Sequence, residues 1–406
     1  MDVNPIVLSI PIFAILIIAE VIIQWLSNRK LYRLNDAITN INCGITQQVS
    51  GIFLKLFALG MYQLIFENFA IWQIQTNWYT LVILFIATDF AYYWAHRMSH
   101  EINLFWTGHV VHHQSEDYNL SVALRQSSFQ VIWTSIFYLP LAVIGFNTID
   151  FALMAALTTL YQFWIHTELI GKLGFIEYLF VTPSHHRVHH GREPKYIDKN
   201  HGGAFIIWDK LFGTYQEEEE KPTYGVTTPL NSWNPVWANF ENLKVLGQEI
   251  KQTPKLADKL KYIFLKPGWR PAELGGYQTA PEVDKTTYKK YETSVSKKVN
   301  GYVLFQFLSI LGFTTWFLFN QTHLELLPKA VAALLIMGTA ITSGGMFEMK
   351  KWVASVEKIR LLIVLALGAA LGFYELTEMW VLIIVANYYI ISKIWLSMAL
   401  KQQTND

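Results

Sequence analysis

Eleven of the twelve histidines fall between His96 and His201, in clusters whose spacing suits the gripping of metal. HRMSH covers 96–100, HVVHH covers 109–113 and HHRVHH covers 185–190, while His166 closes the apolar stretch LYQFWIH. Residues three and four apart share a helix face. His96/His100, His109/His112/His113 and His186/His189/His190 would therefore each present two or three imidazoles in one direction. Cys43 is the single cysteine, which rules out an internal disulfide and any thiolate-held zinc or iron–sulfur site. A bound metal must be held by nitrogen and oxygen. Eight to ten imidazoles are too many for one tetrahedral ion, so two metals are implied. Imidazole suits iron, zinc, copper and nickel alike. An iron pair would suit activation of dioxygen and attack on an unactivated C–H bond, whereas a zinc pair would suit hydrolysis.

The elements that must position these side chains are apolar. Of 406 residues, 52% are hydrophobic and only 16% charged, against about a quarter charged in ordinary soluble proteins. The expected fold is all-α and polytopic, with about nine transmembrane helices. The net charge of +1 gives no reason to expect nucleic acid. Ile6 to Leu26 is long enough to cross a bilayer, and SNRKLYR follows it without a cleavage site, so it reads as an uncleaved anchor whose C-terminal end faces the cytoplasm. A second run covers Ile52 to Ile71, with Lys55 and Glu67 near its ends, and a third, Trp78 to Trp94, leads straight into the first histidine cluster. Phe129 to Phe146 and Ile149 to Ile165 read as two apolar helices joined at Asn147-Thr148, the second delivering His166 back to the same side. All the clusters then meet at the cytoplasmic face.

From Gly191 to Lys298 the chain turns polar. The acidic run at 217–220 reads as a solvated loop, and NSWNPVWANFENLKVLGQEI at 231–250 as an interfacial helix with Trp233, Trp237 and Phe240 on one side. Four further apolar runs follow: Tyr302 to Phe319, Leu324 to Thr342, Ile359 to Phe373 and Leu376 to Ile391. Lys350, Lys351, Lys358 and Arg360 between the second and third fit a cytoplasmic connection. His323 stands alone and reads as an ordinary surface or core histidine. The resulting division is 1–77 for membrane anchor helices, 78–215 for a catalytic domain, 216–300 for a polar cytoplasmic segment and 301–406 for a four-helix membrane region.

H-x-x-x-H, H-x-x-H-H and H-x-x-H-H within a multispan protein resemble the fatty acid hydroxylase and sterol desaturase superfamily of non-haem di-iron membrane oxygenases. Within it, FWTGHVVHHQSEDYNLSVALRQS, QFWIHTELIG and TPSHHRVHHGREPKYIDKN, followed by IIWDKLFGTY, resemble the alkylglycerol monooxygenase family across Asp89 to Tyr215. The resemblance implies hydroxylation of the ether-linked carbon of an alkylglycerol, with dioxygen and tetrahydrobiopterin, and collapse of the hemiacetal to a fatty aldehyde and a glycerol derivative. It implies two iron ions, with zinc able to replace them in a purified sample. It names His96, His100, His109, His112, His113, His186, His189 and His190 as metal ligands, and adds His166 and His185. Glu101 matches an acidic residue of the family that would bridge metals or orient a ligand imidazole. His201 departs from the family, which carries tyrosine there. Asp209 and Trp208 read as a buried acid paired with a cation and an aromatic lid. The host membrane would be the bacterial inner membrane or the endoplasmic reticulum.

Two other functions are compatible with the same residues. One is a sterol, fatty acyl or carotenoid hydroxylase or desaturase of the superfamily, served by a separate electron carrier. The other is a membrane metal transporter or sensor, which would place ligands within spans rather than beyond their ends.

Overall fold

The computed structural model describes the backbone of residues 5–374 and 377–403, with the side chains of Pro5, Ile6, Lys55, Leu56, Gln402 and Gln403 outside the description. The side chain of Lys55, and Leu376 at the start of the last expected span, therefore lie outside the description. The described chain is helical and contains no β-strand, only the isolated bridges Phe180–Phe205 and Gly191–Tyr224. The main helices are α1 (Ile10–Ser27), α2 (Leu34–Phe69), α3 (Trp78–Glu101), α4 (Asn103–His113), α5 (Thr148–Tyr161), α6 (Pro183–His189), α7 (Pro235–Gln252), α8 (Leu256–Phe264), α9 (Lys297–Asn320), α10 (Leu326–Phe347), α11 (Val353–Phe373) and α12 (Met379–Gln403).

Four of them are long and apolar enough to cross a membrane: α1, α9, α10 and α12. α2, bent by 41°, makes a fifth if it counts as one span. These helices mark an integral membrane protein. Nine spans were expected. The stretches 130–144 and Thr148–Tyr161 are short, the second having 14 residues, or about 21 Å at 1.5 Å per residue, against a hydrocarbon core of about 30 Å. The first of them is moreover broken into Gln130–Thr134, a 3₁₀ turn and Leu139–Ile144, the last starting with a Pro in its first turn.

The chain divides into two compact units. The first comprises Met1–Arg33, Ser50–Leu230 and Ala238–Lys290 and contains every histidine cluster. One part of its core packs Leu84 and Ala91 of α3 against Tyr62, Leu141, Phe146, Phe151 and Met154. Asn77 starts α3 with a capping box through Thr80, satisfying two backbone N–H groups at the helix end. α1 is almost wholly exposed, as a lipid-facing helix would be, and its one buried residue is Glu20. That carboxylate accepts hydrogen bonds from the Tyr32 and Thr167 hydroxyls and, at 2.8 Å, from Leu120 N–H. The acid ties an apolar anchor to the residue next to His166.

The second unit comprises Leu34–Val49, Asn231–Trp237 and Tyr291–Asp406. Within it α9, α10, α11 and α12 form a helix bundle. Arg360, expected in a cytoplasmic connection, is instead buried in α11, where it grips Glu357 through two bonds of 2.8 and 2.6 Å. Gln306, Tyr388 and Thr339 take its remaining N–H groups, and Tyr302 donates to Glu357. An ion pair surrounded by apolar helices is stable only when its polar atoms are satisfied in this way.

Candidate metal centre

Three helix ends and one loop deliver the histidines. His96 and His100 lie on the last turns of α3, and His109, His112 and His113 on the last turns of α4. α6 carries His185, His186 and His189, with His190 as its C-cap. Thr182 and Pro183 start that helix, the proline filling a first-turn position whose N–H would be unpaired anyway. His166 follows a turn after α5.

Nine of these imidazoles converge into two buried groups, each compact enough to hold a metal ion. His96, His100, His109, His113 and His189 form one, and His112, His166, His186 and His190 the other. The groups do not follow the sequence clusters. α4 and α6 sit between the two centres, so His112 turns to one and its neighbours His109 and His113 to the other, while α6 sends His189 away from His186 and His190. The clusters read as preformed triplets are in fact shared out. The two groups abut, with the His113 and His190 rings stacked at 4.4 Å.

The tautomers show what the groups are built for. His112 Nδ1 lies 2.9 Å from the Arg125 carbonyl and His166 Nδ1 lies 2.7 Å from the Gln162 carbonyl. A carbonyl only accepts, so each Nδ1 carries the proton and each neutral ring presents a bare lone pair at Nε2. Yet the two Nε2 atoms face one another at 3.2 Å. Two lone pairs cannot hydrogen bond, and a cation between them is what relieves the contact. His96 and His189 are fixed in the same way by the carbonyls of His201 and Lys199, at 2.8 and 2.9 Å. Burial pushes the imidazoles far below their ordinary pKa, His96 to about 3 and His112 to about 4. They are therefore neutral, as ligands must be.

In the four-histidine group the Nε2 atoms close a ring, with 3.2 Å from His112 to His166, 2.9 Å to His186, 3.2 Å to His190 and 3.1 Å back to His112. For metal–nitrogen bonds of about 2.0–2.1 Å, a tetrahedron would make every edge about 3.3–3.4 Å, whereas right-angled neighbours lie about 2.8–3.0 Å apart. The observed edges fall between the two. In the five-histidine group His96, His109, His113 and His189 form a square with ring centroids 4.4 to 4.9 Å apart along its sides and 6.3 Å between His109 and His189 across it. His100 stands over that square, 4.8 to 5.4 Å from each member. The five-histidine group offers more nitrogens than a four-coordinate ion takes.

The loop from Asp198 to Phe205 is held by two buried carboxylates. Asp209 accepts from His201 N–H at 2.7 Å, Gly202 N–H at 2.8 Å and the Thr214 hydroxyl at 2.7 Å. Asp89 accepts from Ala204 N–H at 2.6 Å, Phe205 N–H at 3.1 Å and Trp208 Nε1 at 3.0 Å. A Cβ on Gly202 would stand 2.4 Å from the Phe205 carbonyl, and one on Gly203 would stand 2.5 Å from Asp89, so both positions need glycine. Asp209 was expected to pair with a cation; backbone N–H groups and a hydroxyl hold it instead. Asp198, at φ 56°, aims a carboxylate at His100 Nδ1 from 3.6 Å and receives Lys266 at 3.4 Å.

The remaining expected residues fall outside the two groups. His185 is buried on α6, where Nδ1 accepts the Thr182 N–H at 3.3 Å and closes the capping box. Glu101 pairs with Arg97 at 3.1 Å and Lys266 at 3.6 Å and touches neither group. The His201 ring is buried beside the five-histidine group, 5.0 Å from His100 and 5.5 Å from His96. His323 is exposed. The acidic run expected to be a solvated loop is partly a clamp: Glu218, itself half-buried, holds the buried Arg187 of α6 by bonds of 2.7 and 2.6 Å, while Glu217, Glu219 and Glu220 pair at the surface with Lys172 and Lys195. Sequence reasoning missed Asp198, in the polar stretch after the last histidine cluster, and also Asp89 and Glu20, lone acids within apolar stretches. Their rarity there was the available signal.

The fatty acid hydroxylase family profile matches residues 81–214. The chain is 38% identical over 364 residues to an alkylglycerol monooxygenase of Homo sapiens, covering 88% of this chain and 81% of that protein. It is 36% identical to the alkylglycerol monooxygenase of Xenopus tropicalis, over 87% of this chain and 80% of the relative. Ornithine lipid hydroxylase OlsE of Rhizobium tropici matches 34% of the chain at 27% identity, over 42% of its own length. No solved structure matches the chain. The chain belongs to the alkylglycerol monooxygenase family of fatty acid hydroxylases, and it is a lipid-hydroxylating monooxygenase.

Proposed function

We propose that this enzyme is a di-iron monooxygenase that hydroxylates the ether-linked carbon of an alkylglycerol. The observation that carries the reading is the convergence of nine neutral, buried imidazoles with lone pairs facing one another. The four-histidine and five-histidine groups would each hold one iron. Iron is favoured over zinc because hydroxylation of a lipid needs dioxygen to be activated, and because the larger group offers five nitrogens, one more than a tetrahedral zinc takes. His201 stays beside the five-histidine group without joining it, and His185 supports α6 through its cap. Glu101 would act at one remove, holding Lys266 against Asp198, whose carboxylate faces His100.

When bound, the metal pair supplies activation of dioxygen with electrons from tetrahydrobiopterin. The chain's own work is to position one substrate carbon and to keep water out, which the burial of every ligand ring accomplishes. The balanced reaction replaces one hydrogen of the ether methylene by hydroxyl, with the second oxygen atom leaving as water and two electrons and two protons coming from the reductant. The hemiacetal then loses its alcohol half, giving fatty aldehyde and glycerol derivative.

The alkyl chain would enter laterally from the bilayer. In the proposed topology α1 ends in the cytoplasm and the histidines meet at that face. Residues 129–165 either cross twice or dip in and return; both routes bring His166 to the same side. The catalytic part spans 78–215, between anchor helices at 1–77 and a polar segment at 216–300 that leads to the membrane region at 301–406.

The test is metal and product analysis of anaerobically purified, iron-supplemented protein given an alkylglycerol, dioxygen and tetrahydrobiopterin. Two irons per chain with release of fatty aldehyde is the expected result. Two irons without aldehyde would move the substrate to a sterol or acyl lipid, and absence of iron and oxidation would overturn the oxygenase reading.

A further inference from the structure

The interfacial helix expected at 231–250 has a stronger counterpart a few residues later. α8, LADKLKYIF, is sharply two-faced. Asp258 and Tyr262 are buried on its inner side. Its outer side exposes Leu256 (73%), Leu260 (49%) and Phe264 (59%), spaced four apart, and Leu265, just past the helix end, is also exposed. No protein group covers these residues among those described. Such a row on a nine-residue helix would be costly to leave in water.

The charges around it point to what covers it. Between Lys255 and Arg270 there are five basic residues, Lys255, Lys259, Lys261, Lys266 and Arg270, and a single acid, Asp258. Asp258 is taken by Lys261 at 3.0 Å, and Lys255, Lys266 and Arg270 pair at the surface with Glu273, Asp198 and Glu249 at 2.7, 3.4 and 3.1 Å, so that Lys259 is left without an acid among the described residues while the four paired cations stay 44 to 67% exposed. A short helix with an apolar row flanked by long cationic side chains is the pattern that lies in the headgroup plane of an anionic bilayer, the lysine stems running along the apolar surface and their ammonium groups meeting phosphate.

α8 is also joined to the metal unit. It packs on α4, which carries His109, His112 and His113, and its end carbonyl at Leu265 accepts the N–H of Asn103, the first residue of α4, at 3.0 Å. Lys266, the next residue, reaches Asp198 and Glu101 beside His100. We propose that α8 is a basic interfacial helix that lies on anionic lipid and seats the histidine-bearing helix α4 at the membrane surface.

The test uses the full-length protein in lipid nanodiscs. Cys43 is the only native cysteine, so a Cys43→Ala background accepts one environment-sensitive fluorophore at Leu260→Cys, Phe264→Cys or Lys261→Cys. Retention of the parent's metal content certifies the fold of each labelled protein. The expected result is blue-shifted emission and quenching by headgroup-proximal nitroxide lipid at 260 and 264 but not at 261. The quenching should be stronger in phosphatidylglycerol-containing discs than in phosphatidylcholine alone. Equal access of iodide to all three positions in both lipids would overturn the proposal. Shielding from iodide without nitroxide quenching, accompanied by label-to-label energy transfer between chains, would overturn it in favour of a second copy of the chain on this face. Quenching that ignores lipid charge would overturn the anionic preference.

Discussion

At the scale of single residues, the pairing of lone pairs makes His112 the most informative ligand. It is wedged between His166 and His190 with its proton committed to a carbonyl. His112→Ala should remove one metal per chain and abolish turnover, read by metal analysis beside aldehyde release; full metal content would refute its assignment. Glu101 separates two roles. As a simple half-exposed ion pair it is worth about 0–1 kcal/mol, and Glu101→Gln would leave metal affinity alone. As the outer support of Asp198 and His100 it should lower metal affinity about 10–100-fold on substitution, measurable by competition with a chelator. The chemistry of these residues was legible because imidazoles at three- and four-residue spacing are rare by chance. Their distribution was not: whether His112 belongs with His109 depends on which helix stands on either side of α4, and spacing carries no information on that.

At the scale of elements, α6 is a short helix that cannot hold its shape by propensity alone, since isolated helices below about 12 residues are marginal. Its hold comes from the Thr182–His185 cap and from Arg187, which is clamped by Glu218 and bonded to the carbonyls of Thr167 and Ile170. Glu218→Ala strands a buried guanidinium and should cost about 3–5 kcal/mol, seen as a lowered unfolding temperature with loss of metal. Glu217→Ala, at a half-exposed pair on the same run, should change little. The four glutamates looked alike in sequence because only tertiary placement of Arg187 singles one out. The same holds for Asp209, whose partners are backbone N–H groups that no residue pattern announces.

At the scale of the whole molecule, the buried histidines couple stability to pH. Each binds protons readily when unfolded, near pH 6.5, and poorly when folded, His96 down to about 3 and His112 to about 4. The unfolded state therefore gains protons first, and the stabilisation present above pH 6.5 is lost as the pH falls toward 4. Each such imidazole contributes about 1.4 kcal/mol per pH unit in that window. Metal-free protein should lose thermal stability steeply between pH 6.5 and 4.5, and bound metal should move the fall to lower pH, because it competes with the same protons. A flat profile for the metal-free protein would mean that the rings are not buried neutral.

The amino-acid sequence by itself determined that the chain is helical, membrane-bound and built to hold metal, because hydropathy over long runs and histidines at helical spacing are local properties written along the chain. It also carried the family, through motifs that stay contiguous. Tertiary structure alone decided that nine histidines divide five and four, that His185 caps a helix rather than joining them, that Glu101 stands apart, and that Arg360 lies within a bundle rather than in a loop. Each of these depends on which side of an element faces which neighbour, and that is settled by packing between segments far apart in the chain.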